Sequence, residues 1–274
     1  MMAKIYVLMI AASLFACTSN TDEKWNNVDT QLYLGEGINQ PLIVGFGGGD
    51  GGNSWTIARV KDKRDKLVDM GYAFLALGYF NTENTPKVLD RISLNTIHDA
   101  IVLAANNPKI DKNRIAVLGV SKGSELALLL ASHFNDISCV IAMVPSHCVF
   151  PAHTLSASTS SWSFNGEEVP FVPMPMKTIP ALLKHDLHTA FSIALEDHEA
   201  VAKAAINNAP ILFLSAQKDE QWPSYEMSLT MMEKLDQNEF NNTYEHIAID
   251  GGHFEVFDHF DSVYQFLDRN FPVE

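Results

Sequence analysis

Gly119-Val120-Ser121-Lys122-Gly123 sets a serine between an apolar run and a helix-forming one. A serine hydroxyl is a weak nucleophile until a base takes its proton. The pattern G-x-S-x-G suits a tight strand-to-helix turn that lifts the serine clear of the backbone, where larger residues two positions away would collide. A helix start behind the serine adds a field that favours negative charge developing beside it. The chemistry this permits is attack on an acyl carbonyl, giving a covalent acyl-enzyme. A plain turn with a surface serine would show the same five letters. The strand-like Arg114–Val120 before it and the helix formers from Lys122 to Phe134 after it weigh against that.

The serine needs a base, and the base needs a carboxylate to orient it. On a strand–turn–helix of this kind the partners follow the serine in the chain, acid first. Asp219 follows the apolar run Ile211-Leu212-Phe213-Leu214-Ser215, and its neighbour Glu220 competes for the role. Of ten histidines, His246, His253 and His259 lie beyond Asp219. His246 falls in a strand-like run and His259 in the last helix, whereas His253 follows Gly251-Gly252 just after a strand. His253 is therefore the expected base.

The oxyanion would be held by two backbone N–H groups: one from Lys122, one from the loop beginning Phe46-Gly47-Gly48-Gly49. Phe46, Gly47 and Gly48 all stand as candidates. That glycine run lacks the Walker spacing and its Lys-Ser/Thr ending, so it does not read as a phosphate loop. His185 and His188 form H-x-x-H, with His198 too far away to complete a metal pattern; they read as solvated helix histidines. No metal and no cofactor is expected. The three cysteines show no CxxC pair, and Cys139 reads as a buried small hydrophobe.

Elements of two periodicities must position these residues. Apolar runs at Leu42–Phe46, Tyr72–Tyr79, Arg114–Val120, Ser138–Val144, Ile211–Ser215 and Tyr244–Ile249 read as strands. Between and after them, Ile57–Met70, Leu94–Ala105, Lys122–Phe134, Ser224–Leu235 and Phe257–Asn270 read as helices. The alternation predicts an α/β chain: a mostly parallel sheet with helices on both faces. Residues 146–208, rich in Pro, Ser and Met, break it and read as a lid-like insertion. Within that insertion Trp162, Phe164, Phe171, Met174 and Met176 either line an apolar acyl pocket or pack the lid; both readings stay open.

Residues 1–16 read as a signal peptide: a short positive start, then an apolar stretch too short to span a bilayer. Leu14-Phe15-Ala16-Cys17 is similar to a lipobox, with Phe15 a departure, so Cys17 is the expected lipidation site. Residues 17–40 then read as a tether and 41–274 as the folded domain. This places the protein outside the cytoplasm, membrane-anchored or secreted. With 47% hydrophobic residues the chain buries an ordinary core, and a net charge of −14 argues against nucleic acid as a partner.

The segment Gly119-Val120-Ser121-Lys122-Gly123-Ser124-Glu125-Leu126 resembles the nucleophile region of the acyl-CoA thioesterase and bile-acid-CoA:amino-acid N-acyltransferase family. So do the glycine run from Phe46, Ala76–Asn81, Gln217-Lys218-Asp219-Glu220-Gln221-Trp222, Gly251-Gly252-His253-Phe254 and Phe164–Pro170 in the insertion. The resemblance implies an α/β-hydrolase fold of the dienelactone-hydrolase type. It also implies Ser121 as nucleophile, His253 as base and Asp219 as its partner, with Glu125 in a structural role such as an ion pair.

Family members usually carry a β-sandwich domain before this one, and none is expected here. That, the leader-like start and the acidic charge count against coenzyme A thioesters as donors. The expected substrate is a small acyl ester or thioester, hydrolysed by water. An acyltransferase using an amine or alcohol would share the same acyl-enzyme, and a non-catalytic ligand-binding lipoprotein would not need a complete triad. The pattern leaves the acyl chain, the leaving group and the oligomeric state open.

Overall fold

The structure, a computed structural model, describes residues 28–196 and 209–274. The expected signal segment, Cys17 and His198 lie outside the described residues. In chain order the first half comprises β1 (Asp29–Tyr33), β2 (Gln40–Phe46), α1 (Ala58–Asp69), β3 (Ala73–Gly78), β4 (Ile92–Ser93), α2 (Leu94–Ala105), β5 (Ile110–Val120), α3 (Lys122–His133) and β6 (Ile137–Met143). The second half comprises β7 (Trp162–Phe164), β8 (Glu167–Glu168), α4 (Ile179–Leu182), α5 (Leu187–Glu196), β9 (Ile211–Ala216), α6 (Ser224–Gln237), β10 (Tyr244–Ile249) and α7 (Asp261–Asn270).

The main sheet runs β1-β3-β2-β5-β6-β9-β10. Every neighbouring pair is parallel except β1 with β3. Alternation along the strands splits the core between two faces. Leu42, Val44 and Phe46 of β2 pack with α2, α3 and α6, while Ile43 packs with α1 and α7. These four β2 side chains are wholly buried, each worth about 1.5–3 kcal/mol. Strands covered on both faces must be apolar throughout, which is why they show as continuous runs rather than alternating ones.

Two expectations change. The lead-in to residue 40 is not a loose tether throughout, because Asp29–Tyr33 is the antiparallel edge strand β1. Its Tyr33 hydroxyl accepts from the Arg64 guanidinium at 2.9 Å, and that guanidinium lies 3.8 Å from the Tyr33 ring centre. The closing helix starts later than Phe257: residues Glu255–His259 form a 3₁₀ turn that leads into α7, and His259 lies in that turn.

The insertion leaves the sheet after β6. It builds a small second sheet, β4-β7-β8, whose β7–β8 hairpin turns at Asn165 and Gly166, both at positive φ. The helices α4 and α5 follow.

Candidate functional site

Ser121 sits between β5 and α3 at φ 56° and ψ −122°. A side-chain-bearing residue held there stores about 1–3 kcal/mol of strain. The surroundings fix it. Its N–H donates to the Met143 carbonyl at 2.9 Å, and its carbonyl accepts from the Ser124 N–H at 2.9 Å and the Ser124 hydroxyl at 2.7 Å. A Cβ on Gly119 would lie 2.0 Å from the Gly123 oxygen, and one on Gly123 would lie 2.4 Å from the Gly47 oxygen. Both glycines are therefore required by backbone packing, which is the steric content of the G-x-S-x-G pattern.

Asp219 and His253 come together from two loops at the same end of the sheet, after β9 and β10. Parallel pairing continues past the strands: Gln217 N–H donates to Ile249, and Lys218 N–H to Gly251. Nδ1 of His253 lies 2.8 Å from Oδ1 and 3.0 Å from Oδ2 of Asp219, with both residues 3% exposed. Asp219 Oδ1 also accepts from the N–H groups of Gln221 and Trp222 at 2.9 and 3.2 Å. Glu220, the competing acid, instead accepts the His253 backbone N–H at 3.0 Å and so holds the histidine loop. Trp222 anchors the acid loop by donating to the Val144 carbonyl at 3.1 Å; Val144 itself sits at φ 42°, unusual for a β-branched residue.

Ser121 and His253 line one cavity of about 760 Å³, within the range of small-molecule sites. Gly47, Gly48 and Lys122 line it too, whereas Phe46 is buried in the core. Gly48 faces the serine so closely that an added Cβ would lie 3.3 Å from Ser121 Cβ. As the first residue of α3, Lys122 has a backbone N–H with no acceptor inside the helix. The apolar wall comes from Leu187 and Phe191 of α5, with Trp222 and Phe254. None of the five aromatic and methionine candidates of the insertion lines this cavity. Trp162 is buried against α3, Phe171 packs on the main core, Met174 packs near Phe150, and Met176 is exposed.

Two features go beyond the sequence reading, the first being the partner of the ion pair implied for Glu125. The Lys122 side chain is not solvated: its Nζ lies 2.7 Å from Glu125 Oε1, with the two side chains 6% and 2% exposed. Glu125 also accepts from Trp162 Nε1 at 2.6 Å and from the Phe150 N–H at 3.4 Å. Burial pushes the Glu125 carboxyl up, and Lys122 and the Trp162 N–H pull it down. The K-x-x-E spacing at a helix start is the signal that could have found this pair. The second feature is His188, read as a solvated helix histidine. Its Nδ1 instead donates to the Asp219 carbonyl oxygen at 2.7 Å, tying α5 to the acid loop. His185 lies before that helix, in a turn at φ 59°. Among the described residues, no three His, Cys, Asp or Glu side chains are grouped closely enough to hold a metal ion.

Solved structures with the same fold include the esterase Pf2001 of Pyrococcus furiosus, at TM-score 0.58 and 16% identity, covering 90% of this chain and 94% of that one. Another is Est1E of Butyrivibrio proteoclasticus, solved with ferulic acid bound, at TM-score 0.57 and 16% identity, covering 89% of this chain and 95% of that one. They show that the fold is that of the α/β-hydrolases. Among curated proteins, mouse acyl-coenzyme A thioesterase 3 is 28% identical over 163 residues, 58% of this chain and 36% of its own length. Human acyl-coenzyme A thioesterase 1 is 25% identical over 162 residues, 58% of this chain and 37% of its own. The chain spans about a third of the length of these relatives. Residues 92–257 match the family described as BAAT / Acyl-CoA thioester hydrolase C terminal, a stretch that holds Ser121, Asp219 and His253. The chain belongs to that family.

Proposed function

We propose that the protein hydrolyses carboxylic esters or thioesters through an acyl-enzyme on Ser121. The observation that carries this reading is the buried His253–Asp219 pair opening into the same cavity as a strained serine at a helix N-terminus. His253 Nε2 takes the hydroxyl proton as Oγ attacks the carbonyl carbon. The electron pair of the C=O bond moves onto oxygen, where the Lys122 N–H and a Gly47 or Gly48 N–H receive it. Collapse expels the alcohol or thiol, which leaves with the proton from His253. Water, deprotonated by the same imidazole, then releases the acid and restores the serine. Asp219 holds the tautomer with its proton on Nδ1 and stabilises the imidazolium. The family's link to acyl-coenzyme A thioesterases supports thioesters as donors, while the charge of −14 favours less anionic ones.

The lipid anchor belongs to the same reading, with Cys17 carrying the lipid outside the cytoplasm; labelling with palmitate that persists in Cys17→Ala would end it. The hydrolase itself is tested by labelling with a fluorophosphonate and by turnover of p-nitrophenyl esters of varied chain length beside acyl-coenzyme A thioesters. Labelling and turnover are expected in the wild type and lost in Ser121→Ala. Folded wild-type protein that neither labels nor turns over any donor would overturn it. Added glycine, taurine or glycerol appearing in the product would shift the reading to acyl transfer.

A further inference from the structure

We propose that Arg59 determines specificity in the Ser121 cavity by receiving a single carboxylate-sized anion that the substrate carries close to its scissile bond; this deepens the hydrolase reading of that cavity and rests on it. Arg59 lies in the first turn of α1, is exposed, and lines the cavity together with Ser121 and His253. Its guanidinium stands 5.3 Å from the Phe254 ring centre and 5.7 Å from that of Phe257. Stacking on two rings holds the group in place and leaves its N–H fork open to a ligand. Among the described residues the Arg59 side chain has no hydrogen bond and no ion pair. Phe254 follows His253 directly, and their ring centres are 5.2 Å apart. The guanidinium therefore lies within two ring spacings of the imidazole that serves the acyl bond.

The other charges of the cavity direct an anion to this wall. Asp50 is the one carboxylate among the lining residues, and its charge reaches His153 on the glycine-loop side. Lys122 also lines the cavity, but its ammonium is paired with Glu125 at 2.7 Å. The α5 wall offers Leu187 and Phe191 and no charge. The first turn of α1 holds no acidic residue to compete for the guanidinium. A planar guanidinium meets a carboxylate through two parallel N–H donors, a match that a neutral amide cannot reproduce. A single carboxylate also suits a chain of charge −14 better than the several phosphates of coenzyme A, which lie at the far end of its pantetheine arm.

Two matched pairs of thioesters read the anion. The acetyl thioesters of 3-mercaptopropionate and of its amide vary the leaving group; the ethyl thioesters of adipic acid and of its monoamide vary the acyl part. In the wild type the acid of one pair is expected to exceed its amide in kcat/KM by about tenfold. The pair that discriminates places the anion on the thiol or on the acyl chain. Ser121→Ala, titrated with the same intact thioesters, reads the preference as affinity without turnover. In Arg59→Met, which keeps an apolar stem on the two rings, acid and amide are expected to become equal, and Arg59→Lys is expected to keep part of the preference. Acid and amide alike in both pairs, or a preference that persists in Arg59→Met, would overturn the proposal, while turnover itself would leave the hydrolase reading standing. Discrimination by Ser121→Ala beside a wild type that turns over neither pair would sustain the anion site at Arg59 and overturn the hydrolase reading instead.

Discussion

The Lys122 ammonium stands 2.7 Å from Glu125 Oε1, and both side chains are buried in the first turn of α3, which Ser121 precedes. Glu125 anchors three separate parts of the fold: α3 itself, Trp162 of β7 and the backbone at Phe150. Removing one partner of a buried pair leaves an uncompensated charge, which costs about 3–5 kcal/mol. Glu125→Ala is therefore expected to lower unfolding stability by that amount in urea and to slow fluorophosphonate labelling of Ser121. Replacing both partners, Lys122→Met with Glu125→Leu, should cost less than the single change. A double-variant loss as large as the sum of the two single losses would mean that the pair carries no coupling.

Asp219 and Glu220 are adjacent, but only Asp219 meets the imidazole; Glu220 holds the His253 backbone N–H. Asp219→Asn keeps the shape and favours the wrong tautomer, so kcat should fall by about 10⁴-fold. Glu220→Gln keeps a hydrogen-bond acceptor for the loop and should change kcat by less than about tenfold. Steady-state kinetics on one p-nitrophenyl ester compares the two, and the reverse order would exchange their roles.

His188 links the insertion to the acid loop through the Asp219 carbonyl, while its neighbours Leu187 and Phe191 line the Ser121 cavity. Losing that bond frees both the acid loop and the apolar wall. His188→Ala is expected to lower kcat/KM by about tenfold, the scale of one hydrogen bond. His188→Asn, which retains a donor near the Nδ1 position, should recover part of the loss. Recovery is the outcome that separates positioning from simple packing.

The glycines around Ser121 should differ in what they tolerate. In Gly123→Ala the new methyl meets the Gly47 and Phe46 backbone oxygens at 2.4 and 2.8 Å, and neither oxygen can move without displacing the glycine loop. Overpacking of this kind costs about 1–3 kcal/mol, and activity should fall with stability. In Gly48→Ala the nearest atom is Ser121 Cβ at 3.3 Å, a contact that a small shift relieves. That variant should melt close to the wild type yet label more slowly, because the crowding falls on Ser121. Melting curves beside labelling rates distinguish the two behaviours.

The strands, the helices and the strand ends that carry Ser121, Asp219 and His253 were legible because each depends on local pattern. Apolar runs, glycine stops and the order of serine, acid and histidine all survive in one dimension. The exceptions are pairings across long stretches of chain. β1 is a polar-looking segment whose partner is β3, and His188 reaches the Asp219 carbonyl from a different element. For Trp162, Phe164, Phe171, Met174 and Met176 the sequence left open a pocket wall or lid packing, and the insertion folds so that Leu187 and Phe191 line the Ser121 cavity instead. Composition of an insertion carries no record of which face it turns inward.

His147 has a consequence for stability, because it is 6% exposed and its Nδ1 has no hydrogen-bond partner among the described residues. Burial, reinforced by the Lys234 charge, lowers its pKa from 6.5 to about 4. As pH falls from neutrality, the unfolded chain takes up the proton near 6.5 while the folded chain still refuses it. The unfolded state then binds more protons, so stability drops with pH across the window from 6.5 to about 4 and levels off below it. A shift of this size corresponds to about 3 kcal/mol when complete. Glu125 and Cys148 line a cavity together with His147, and the variant His147→Phe keeps both. Its unfolding free energy, measured in urea from pH 7 to pH 4.5, should therefore lose this part of the slope and gain on the wild type as the pH falls. Parallel curves for the two proteins would mean that His147 takes up its proton in the folded state as readily as in the unfolded one.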